Sequence, residues 1–237
     1  MPKGTSTSVD AYLIQATCAI VQRNKDNNIK VVATAWLASS EGHLVTAGHT
    51  FSEKQNAGTT IEVQFLNKTP EPAVIIEVMH NQSKGLDFAI LKLSTPPKQR
   101  EPLKFMLVNE ASGEFLLRGY GSSLPHSQSP GKGEFIGLNI RAGDSEHILF
   151  QLRSPELAFE GFSGGAVYST QLEAVIAIQI EAKKGSDTVL AMPLYRIPEY
   201  WAEIANLASL PGTCFVVAPK ERVSRLVDEI VRPVIVE

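Results

Sequence analysis

Hydrophobic residues along this chain come in short runs that are separated by polar turns. Residues 61–65 alternate apolar and polar side chains, as a half-buried strand does, and residues 12–31 have the pattern of strand, polar turn and strand. Short strands at close spacing indicate an all-β barrel or sandwich. At least five strands are predicted before any convincing helix, and these lie at residues 16–21, 31–38, 61–65, 73–78 and 86–93.

A proline-rich segment, Pro96–Pro102, interrupts this pattern and is the best internal boundary. Strands resume after it, and residues 121–131, rich in Gly, Ser and Pro, are predicted to form a mobile surface loop. Helical periodicity begins only at Tyr195. The later strands are predicted at residues 115–120, 133–138, 147–152, 166–168 and 174–180, and the apolar face of the helix at Ile197, Tyr200, Trp201, Ile204 and Leu207.

The elements together predict two β units of similar size, an N-terminal one at residues 12–98 and a C-terminal one at residues 103–208 that is closed by the helix. Residues 211–237 fit this plan less well, because a short apolar run is followed there by a second helical pattern that ends before Pro233. They form either an extra element packed on the barrels or a connector to a partner or fused domain. The sequence leaves both interpretations open.

Composition excludes several other classes of protein. The 237 residues are 43% hydrophobic and 20% charged, which is ordinary for a globular protein, and no apolar run is long enough to span a bilayer. A net charge of −3 gives no support for binding to nucleic acid or to an anionic membrane. Two distant cysteines and an N-terminus without the apolar core of a secretory signal indicate the cytoplasm. Metal-ligand spacings and phosphate-binding loops are missing, so we expect neither a metal nor a cofactor.

Three polar residues lie where strands begin or end, or in a tight loop, and suggest nucleophilic catalysis. His49 follows an apolar strand, Asp87 begins another, and Ser163 lies in the glycine-flanked sequence Gly161–Gly165. A serine hydroxyl is a poor nucleophile unless an imidazole takes its proton, and a carboxylate must orient that imidazole. Each residue alone has a commoner role on a surface or in a turn. Together with their flanking sequences they predict a catalytic triad.

Chain order decides between two classes of serine hydrolase. The sequence around Ser163 satisfies G-x-S-x-G, the nucleophile elbow of α/β-hydrolases, but that fold requires its histidine after the serine. All the histidines precede Ser163, so the elbow interpretation fails. The order His, Asp, Ser is that of the chymotrypsin-like arrangement, which also agrees with the all-β pattern.

With these residues in place, the chain resembles the trypsin-like serine peptidases of the chymotrypsin fold, and above all their compact bacterial and high-temperature-requirement branch. Residues 33–49 are similar to the family block that ends in LTAAH, and residues 85–91 to its DLAVL block. Residues 161–167 are similar to GNSGGPV, and residues 174–179 to the strand that follows it. The resemblance covers about residues 12–208 and does not extend to 211–237. It implies two perpendicular six-stranded β-barrels with the triad at their seam, and a C-terminal helix.

The resemblance also implies a role for each residue of the site. His49 is expected to be the general base and then the general acid, Asp87 to orient it, and Ser163 to form the acyl-enzyme. The N–H groups of Gly161 and Ser163 are expected to form the oxyanion hole. The predicted reaction is hydrolysis of peptide bonds in protein or peptide substrates.

Phe162 is a departure from the zymogen-activated members of this family, which have an aspartate before the nucleophile that binds a newly cut N-terminus. A phenyl ring cannot pair with an ammonium group, so we expect no activation by N-terminal clipping. Our hypothesis is that loop ordering or a regulatory partner controls activity.

The same resemblance suggests which residues bind substrate. Leu157 is expected at the floor of the primary pocket, where it offers no counter-charge for Lys or Arg. Residues 180–182, which are Ile180, Glu181 and Ala182, are expected to pair with the substrate backbone, and Val189 to narrow the pocket. These residues predict cleavage after a small or medium apolar residue. Glu160 and Glu181 would instead favour a basic residue nearby.

Two rival interpretations differ in function. The first is a catalytically inactive, peptidase-like binding module, which the intact triad positions and Gly161 disfavour. The second is a peptidase effector domain of a bacterial multidomain defence protein, joined through residues 211–237 to a sensor or an NTPase, which rests on analogy of fold alone.

Overall fold

Twelve β-strands build two closed barrels in the part of the chain that the computed structural model describes, namely residues 6–121, 127–141, 147–154, 161–182 and 187–208. Each barrel has six antiparallel strands. The described part of the chain begins with helix α1 (Ser6–Ala16) and ends with a 3-10 turn (Leu194–Glu199) and the short helix α2 (Glu203–Leu207). The two barrels of the predicted all-β chymotrypsin fold are confirmed.

The first barrel has the strand order β1-β2-β3-β6-β5-β4, and pairing of β1 with β4 closes it. A 3-10 turn (Gly48–Thr50) follows β3, and another (Gln82–Lys84) precedes β6. The strands are β1 (Thr17–Arg23), β2 (Ile29–Leu37), β3 (His43–Thr46), β4 (Thr60–Phe65), β5 (Glu71–Asn81) and β6 (Leu86–Leu93).

The second barrel repeats the same order six strands later, as β7-β8-β9-β12-β11-β10, and pairing of β7 with β10 closes it. Closure matters because a closed barrel has no unpaired sheet edge around its circumference. The strands are β7 (Glu114–Tyr120), β8 (Gln128–Arg141), β9 (His147–Arg153), β10 (Ala166–Ser169), β11 (Ala174–Ala182) and β12 (Thr188–Pro193).

Helix α1 is the clearest correction to the sequence analysis, which placed strand structure from Tyr12 onwards. Val9, Tyr12, Leu13 and Ala16 have helical spacing, and they turn towards the core, with Leu13 and Ala16 fully buried. The phenol of Tyr12 accepts a hydrogen bond from Lys104 N and donates one to Pro102 O, both at 2.7 Å. The helix is thereby attached to the segment between the barrels.

Three further elements differ from the prediction. Strand β12 was missed, because its residues are nearly all buried and show no alternation between apolar and polar positions. Residues 128–131 were assigned to a mobile loop but belong to β8. The predicted C-terminal helix is broken in two, since Pro198 lacks the N–H that a continuous α-helix requires. Residues 211–237 lie outside the described residues, and the boundaries 12–98 and 103–208 stay predictions.

Candidate active site

His49 is carried to Asp87 by the 3-10 turn that follows β3. Gly48 makes this close approach possible, because a Cβ atom there would lie 2.7 Å from Phe88 O of β6 and would also collide with the backbone of β5. Two hydrogen bonds join the pair: His49 N donates to Asp87 Oδ1 at 2.8 Å, and His49 Nδ1 lies 2.6 Å from Asp87 Oδ2. Since a carboxylate only accepts, Nδ1 carries a proton and Nε2 faces away from Asp87.

The environment of His49 favours its protonated form. The hydrogen bond to Asp87 raises the pKa of His49 most strongly, burial opposes this, and the negative charges of Asp87 and Glu181 raise the pKa further. Stabilisation of an imidazolium is what a general base requires once it has taken a proton. The sequence analysis predicted Asp87 as the partner of His49, and the structure brings the two together. Glu181 was predicted as a substrate-binding residue, and the structure places its charge where it acts on His49.

The Ser163 loop is anchored through the residue before the serine. Phe162 is fully buried in the apolar core of the second barrel, in one cluster with Phe115 and Phe150. Its ring lies so close to β7 that a Cβ atom at Gly119 would be 2.5 Å from Phe162 Cδ1. An apolar contact therefore anchors this loop within the second barrel.

The same loop is also attached to the first barrel. Thr34 Oγ1 donates to Gly161 O at 2.7 Å, and Thr34 N donates to Ser163 O at 2.9 Å. Gly164, at φ 90°, lies against Thr34 and Thr46, and a Cβ atom there would be 2.9 Å from Ala47 N. Ala47 is two residues before His49, so these contacts bring the Ser163 loop to the turn that carries His49.

Hydrogen bonds hold the backbone carbonyl groups of the Ser163 loop. Besides the two bonds from Thr34, Gly165 N donates to Phe162 O at 2.9 Å, so all the carbonyl groups of residues 161–163 have a donor. Gly161 adopts φ 100°, a conformation that glycine reaches at little cost. Among the described residues, none accepts a hydrogen bond from the N–H group of Gly161 or of Ser163.

Residues 180–182 form the end of β11, beyond its partner β10. Pairing with β10 stops at Ile178, whereas pairing with β12 continues to Ala182 through a register shift between Gln179 and Glu181. Glu181 is exposed and Ile180 is half-buried. Strand β11 therefore continues past the Ser163 loop, and Gly164 N of that loop donates to Gln179 O at 2.8 Å.

Of the other residues predicted near the substrate, Val189 lies in the described part of the chain. Val189 is 1% exposed, pairs with Ala182, and packs in the core of the second barrel. Leu157 and Glu160 lie outside the described residues.

Two residues near the site had no signal in the sequence analysis. The ring of His80 lies 6.0 Å from that of His49, because His80 is opposite Asp87 in the pairing of β5 with β6. Thr34 lies within an apolar strand, and a lone threonine at such a position is ordinary for a β-protein. Strand register and the three-dimensional path of the loop reveal both residues.

A group of possible metal ligands lies away from this site, where one oxygen or nitrogen atom each of Glu41, His43 and Glu203 lie within 4.8 Å of one another. The ammonium group of Lys92 is among them, 3.2 Å from both Glu41 Oε2 and His43 Nε2. The charge of Lys92 therefore offsets one of the two carboxylate charges in this group. Burial, followed by the charge of Lys92, lowers the pKa of His43.

A double β-barrel with a paired histidine and aspartate next to a glycine-flanked serine defines the class of chymotrypsin-fold serine hydrolases. Residues 33–178 match the family model described as trypsin-like peptidase domain. The chain belongs to this family and is a serine endopeptidase of trypsin-like type. No curated protein sequence matches the chain.

Solved structures share the fold at low sequence identity. The active form of the Rv3671c protease from M. tuberculosis is 16% identical, with a TM-score of 0.63 over 87% of each chain. The MamO protease domain from Magnetospirillum magneticum is 20% identical, with a TM-score of 0.58 over 80% of this chain and 97% of that one. A serine endoprotease from Yersinia pestis is 16% identical, with a TM-score of 0.62 over 87% of this chain and 68% of that one.

None of the helices in the described residues is long and apolar enough to cross a bilayer.

Proposed function

We propose that Ser163, His49 and Asp87 form the catalytic triad of this peptidase. His49 Nε2 takes the proton of Ser163 Oγ as the oxygen attacks the carbonyl carbon of the peptide bond, and Asp87 stabilises the imidazolium. The proton then passes to the leaving amine, and an acyl-enzyme remains that water hydrolyses. The two-bond His49–Asp87 pair, next to a Ser163 loop that lies against Ala47, is the observation that carries this proposal.

The N–H groups of Gly161 and Ser163 are the proposed oxyanion hole. Their support is the positive φ of Gly161 and the set of bonds that hold the carbonyl groups of residues 161–163 to the scaffold. Donors held in place before the reaction stabilise a developing oxyanion without further reorganisation, and loss of one such donor in other enzymes costs about 10²–10³ in turnover.

Covalent labelling by a fluorophosphonate probe tests the triad. We expect the wild-type protein to be labelled at Ser163 and to digest fluorescent casein, and Ser163→Ala to do neither. Ser169→Ala, which removes a buried serine hydroxyl from β10, is the matched control and should be labelled like wild type. A folded wild-type protein that is neither labelled nor active would contradict the proposal and favour a binding module.

Cleavage is proposed to occur after a small or medium apolar residue, while the substrate backbone pairs with residues 180–182. Support comes from the position of these residues, where β11 continues past the end of its pairing with β10, and from the apolar environment of Val189. The exposed carboxylate of Glu181 supplies a competing preference for a basic residue near the cleaved bond. Cleavage of a peptide library tests this preference. A strong preference for Arg or Lys before the cleaved bond would contradict the apolar assignment.

Control of activity by a partner or by loop ordering remains part of the proposal. Phe162 bears on it by disfavouring N-terminal clipping as the alternative, because its buried ring occupies the position at which an aspartate would pair with a new N-terminus. The experiment compares the full chain with a variant that ends at residue 208. Equal labelling rates for the two, with and without a cell extract from the source organism, would contradict a regulatory role for residues 211–237.

A cytoplasmic location is also proposed. Cys18 is a free, fully buried thiol, and burial raises its pKa, so it stays protonated and unreactive. Fractionation of cells that express a tagged chain tests the location, and recovery from an exported or membrane fraction would contradict it.

A further inference from the structure

Thr34 connects the first barrel to the loop that carries Ser163. It lies within β2 and is fully buried, yet each of its polar atoms has a partner. Its Oγ1 donates to Gly161 O at 2.7 Å and accepts from Tyr120 N at 3.0 Å. Its backbone N donates to Ser163 O at 2.9 Å, and its carbonyl accepts from Thr46 Oγ1 at 2.7 Å.

These bonds leave the Thr34 hydroxyl a single orientation. A hydroxyl has one proton, which is directed at Gly161 O, while the N–H group of Tyr120 occupies a lone pair on the same oxygen. The branched side chain is also stiff at χ1, and close packing in the barrel seam restricts it further. The donor that faces Gly161 is therefore rigid before any substrate binds.

The peptide group that this donor holds lies between the two proposed oxyanion donors. Gly161 O belongs to the peptide that joins residues 161 and 162, whereas the N–H groups of Gly161 and Ser163 lie on either side of that peptide. Glycine has few steric barriers to rotation about its backbone bonds. Without a donor at its carbonyl group, this peptide is free to turn and to move both N–H groups out of line.

We propose that Thr34 is a positioning residue that sets the 161–162 peptide and thereby aligns the oxyanion donors; this inference rests on the proposed function. The first barrel then does more than supply His49 and Asp87. Through one buried hydroxyl it also determines the shape of the nucleophile loop in the second barrel.

The test compares Thr34→Val, which keeps the shape and removes the hydroxyl, with Thr34→Ser, which keeps the hydroxyl. Thr17→Val is the matched control, because Thr17 is 1% exposed and its Oγ1 donates to a backbone carbonyl, Leu13 O, at the same 2.7 Å. Each protein is assayed with fluorogenic peptide anilides that end in Val or Leu, well below its melting temperature. The full pH profile of kcat/KM is measured as well.

We expect Thr34→Val to lower kcat by about 10- to 100-fold, since a misplacement of about 1 Å can cost about 10²-fold. KM should stay within about 3-fold, because the transition state and not the bound substrate uses the oxyanion donors. The pH at which the acid limb falls should not move, because the Thr34 hydroxyl bonds to Gly161 and Tyr120 and carries no charge that acts on His49. Thr34→Ser and Thr17→Val should keep kcat within about 3-fold of wild type.

Three outcomes would overturn the inference: Thr34→Val with wild-type kcat, Thr34→Ser with the same loss as Thr34→Val, or Thr17→Val with an equal loss. The last two would show that packing or general destabilisation is the cause. If Thr34→Val does not fold, Thr34→Ala replaces it with the same expected fall in kcat. A wild-type protein without labelling or hydrolysis would instead overturn the proposed function, and this inference with it.

Discussion

The two halves of the candidate site are held by different kinds of interaction. His49 and Asp87 belong to one barrel, lie on neighbouring structural elements, and are joined by two short hydrogen bonds to a carboxylate. The Ser163 loop belongs to the other barrel, where a buried phenyl ring anchors it. Hydrogen bonds from Thr34, 127 residues earlier in the chain than Gly161, attach it to the first barrel.

This difference shows where each half is vulnerable. A charged pair built within one barrel depends on local register, and a conservative change disturbs its chemistry without disturbing the fold. A loop held by an apolar side chain and a distant hydroxyl depends on packing at the seam between the barrels. Conservative mutations in the first half should therefore affect catalysis far more than stability, and those in the second should affect both.

The largest effect is expected in the first half, from Asp87→Asn. The change keeps the size of the side chain but removes the charge that orients and stabilises protonated His49, and in a related triad such a change lowers kcat by about 10⁴-fold. Measurement of kcat and of the melting temperature checks this. The double variant with Ser163→Ala should be no less active than Ser163→Ala alone, since triad members act as a unit. A loss of less than about 10-fold would contradict the assigned role of Asp87.

Phe162→Ala is the corresponding mutation in the second half, where it removes the ring that anchors the Ser163 loop. Loss of a fully buried phenyl ring should lower the free energy of unfolding by about 3–5 kcal/mol, as measured by urea denaturation. Activity below the transition should also fall, because the loop loses its anchor. Phe115→Ala, in the same core cluster, is the control and should cost similar stability but retain kcat. Equal effects of the two variants on kcat would contradict a special role for Phe162.

Glu181→Gln links the two halves and should have a smaller effect. The negative charge of Glu181, in the second barrel, raises the pKa of His49 in the first. Neutral His49 is the active base, so a lower pKa keeps the enzyme active at lower pH. The acid limb of kcat/KM should thus move to lower pH in this variant. Glu134 is an exposed acid on β8, and Glu134→Gln is the control that should leave the acid limb in place. If the acid limb of Glu181→Gln also stays in place, the prediction is contradicted.

The smallest effect is expected from replacement of His43, which lies in the same barrel as His49 but has its pKa shifted in the opposite direction. Burial and Lys92 lower the pKa of His43, while Glu41 and Glu203 act in the opposite direction. Its contribution to stability is therefore fully present above its ordinary pKa of 6.5 and is lost as the pH falls from there through its folded pKa. The pKa of His49 is raised, so its contribution to stability is fully present below its ordinary pKa of 6.5 and is lost as the pH rises through its folded pKa.

As the pH falls below 6.5, the His43→Gln variant should lose less of its free energy of unfolding than the wild-type protein does. Urea denaturation of wild type and variant across this pH range measures the difference. An identical slope of unfolding free energy against pH in the two proteins would contradict the assignment.

Much of the architecture was predictable because strand formation leaves a local pattern. Alternation, turn residues and chain order indicated two β units and candidate positions for His49, Asp87 and Ser163. Helix α1 and strand β12 were missed for opposite reasons: the helical face of α1 overlaps an apolar run, and the buried residues of β12 do not alternate. Pro198 divides a helix whose apolar face was otherwise correctly spaced.

By itself the sequence determined the class of fold, the family resemblance and the residue types needed for acyl transfer, since these depend on local pattern and on chain order. Only the tertiary structure decided that Phe162 is an apolar anchor and that Thr34 donates to Gly161. Neither contact has a signal along the chain, because each joins residues whose neighbourhood is created only when the barrels close and pack together. The glycine-flanked serine was visible at once in the sequence, whereas what holds its loop was not.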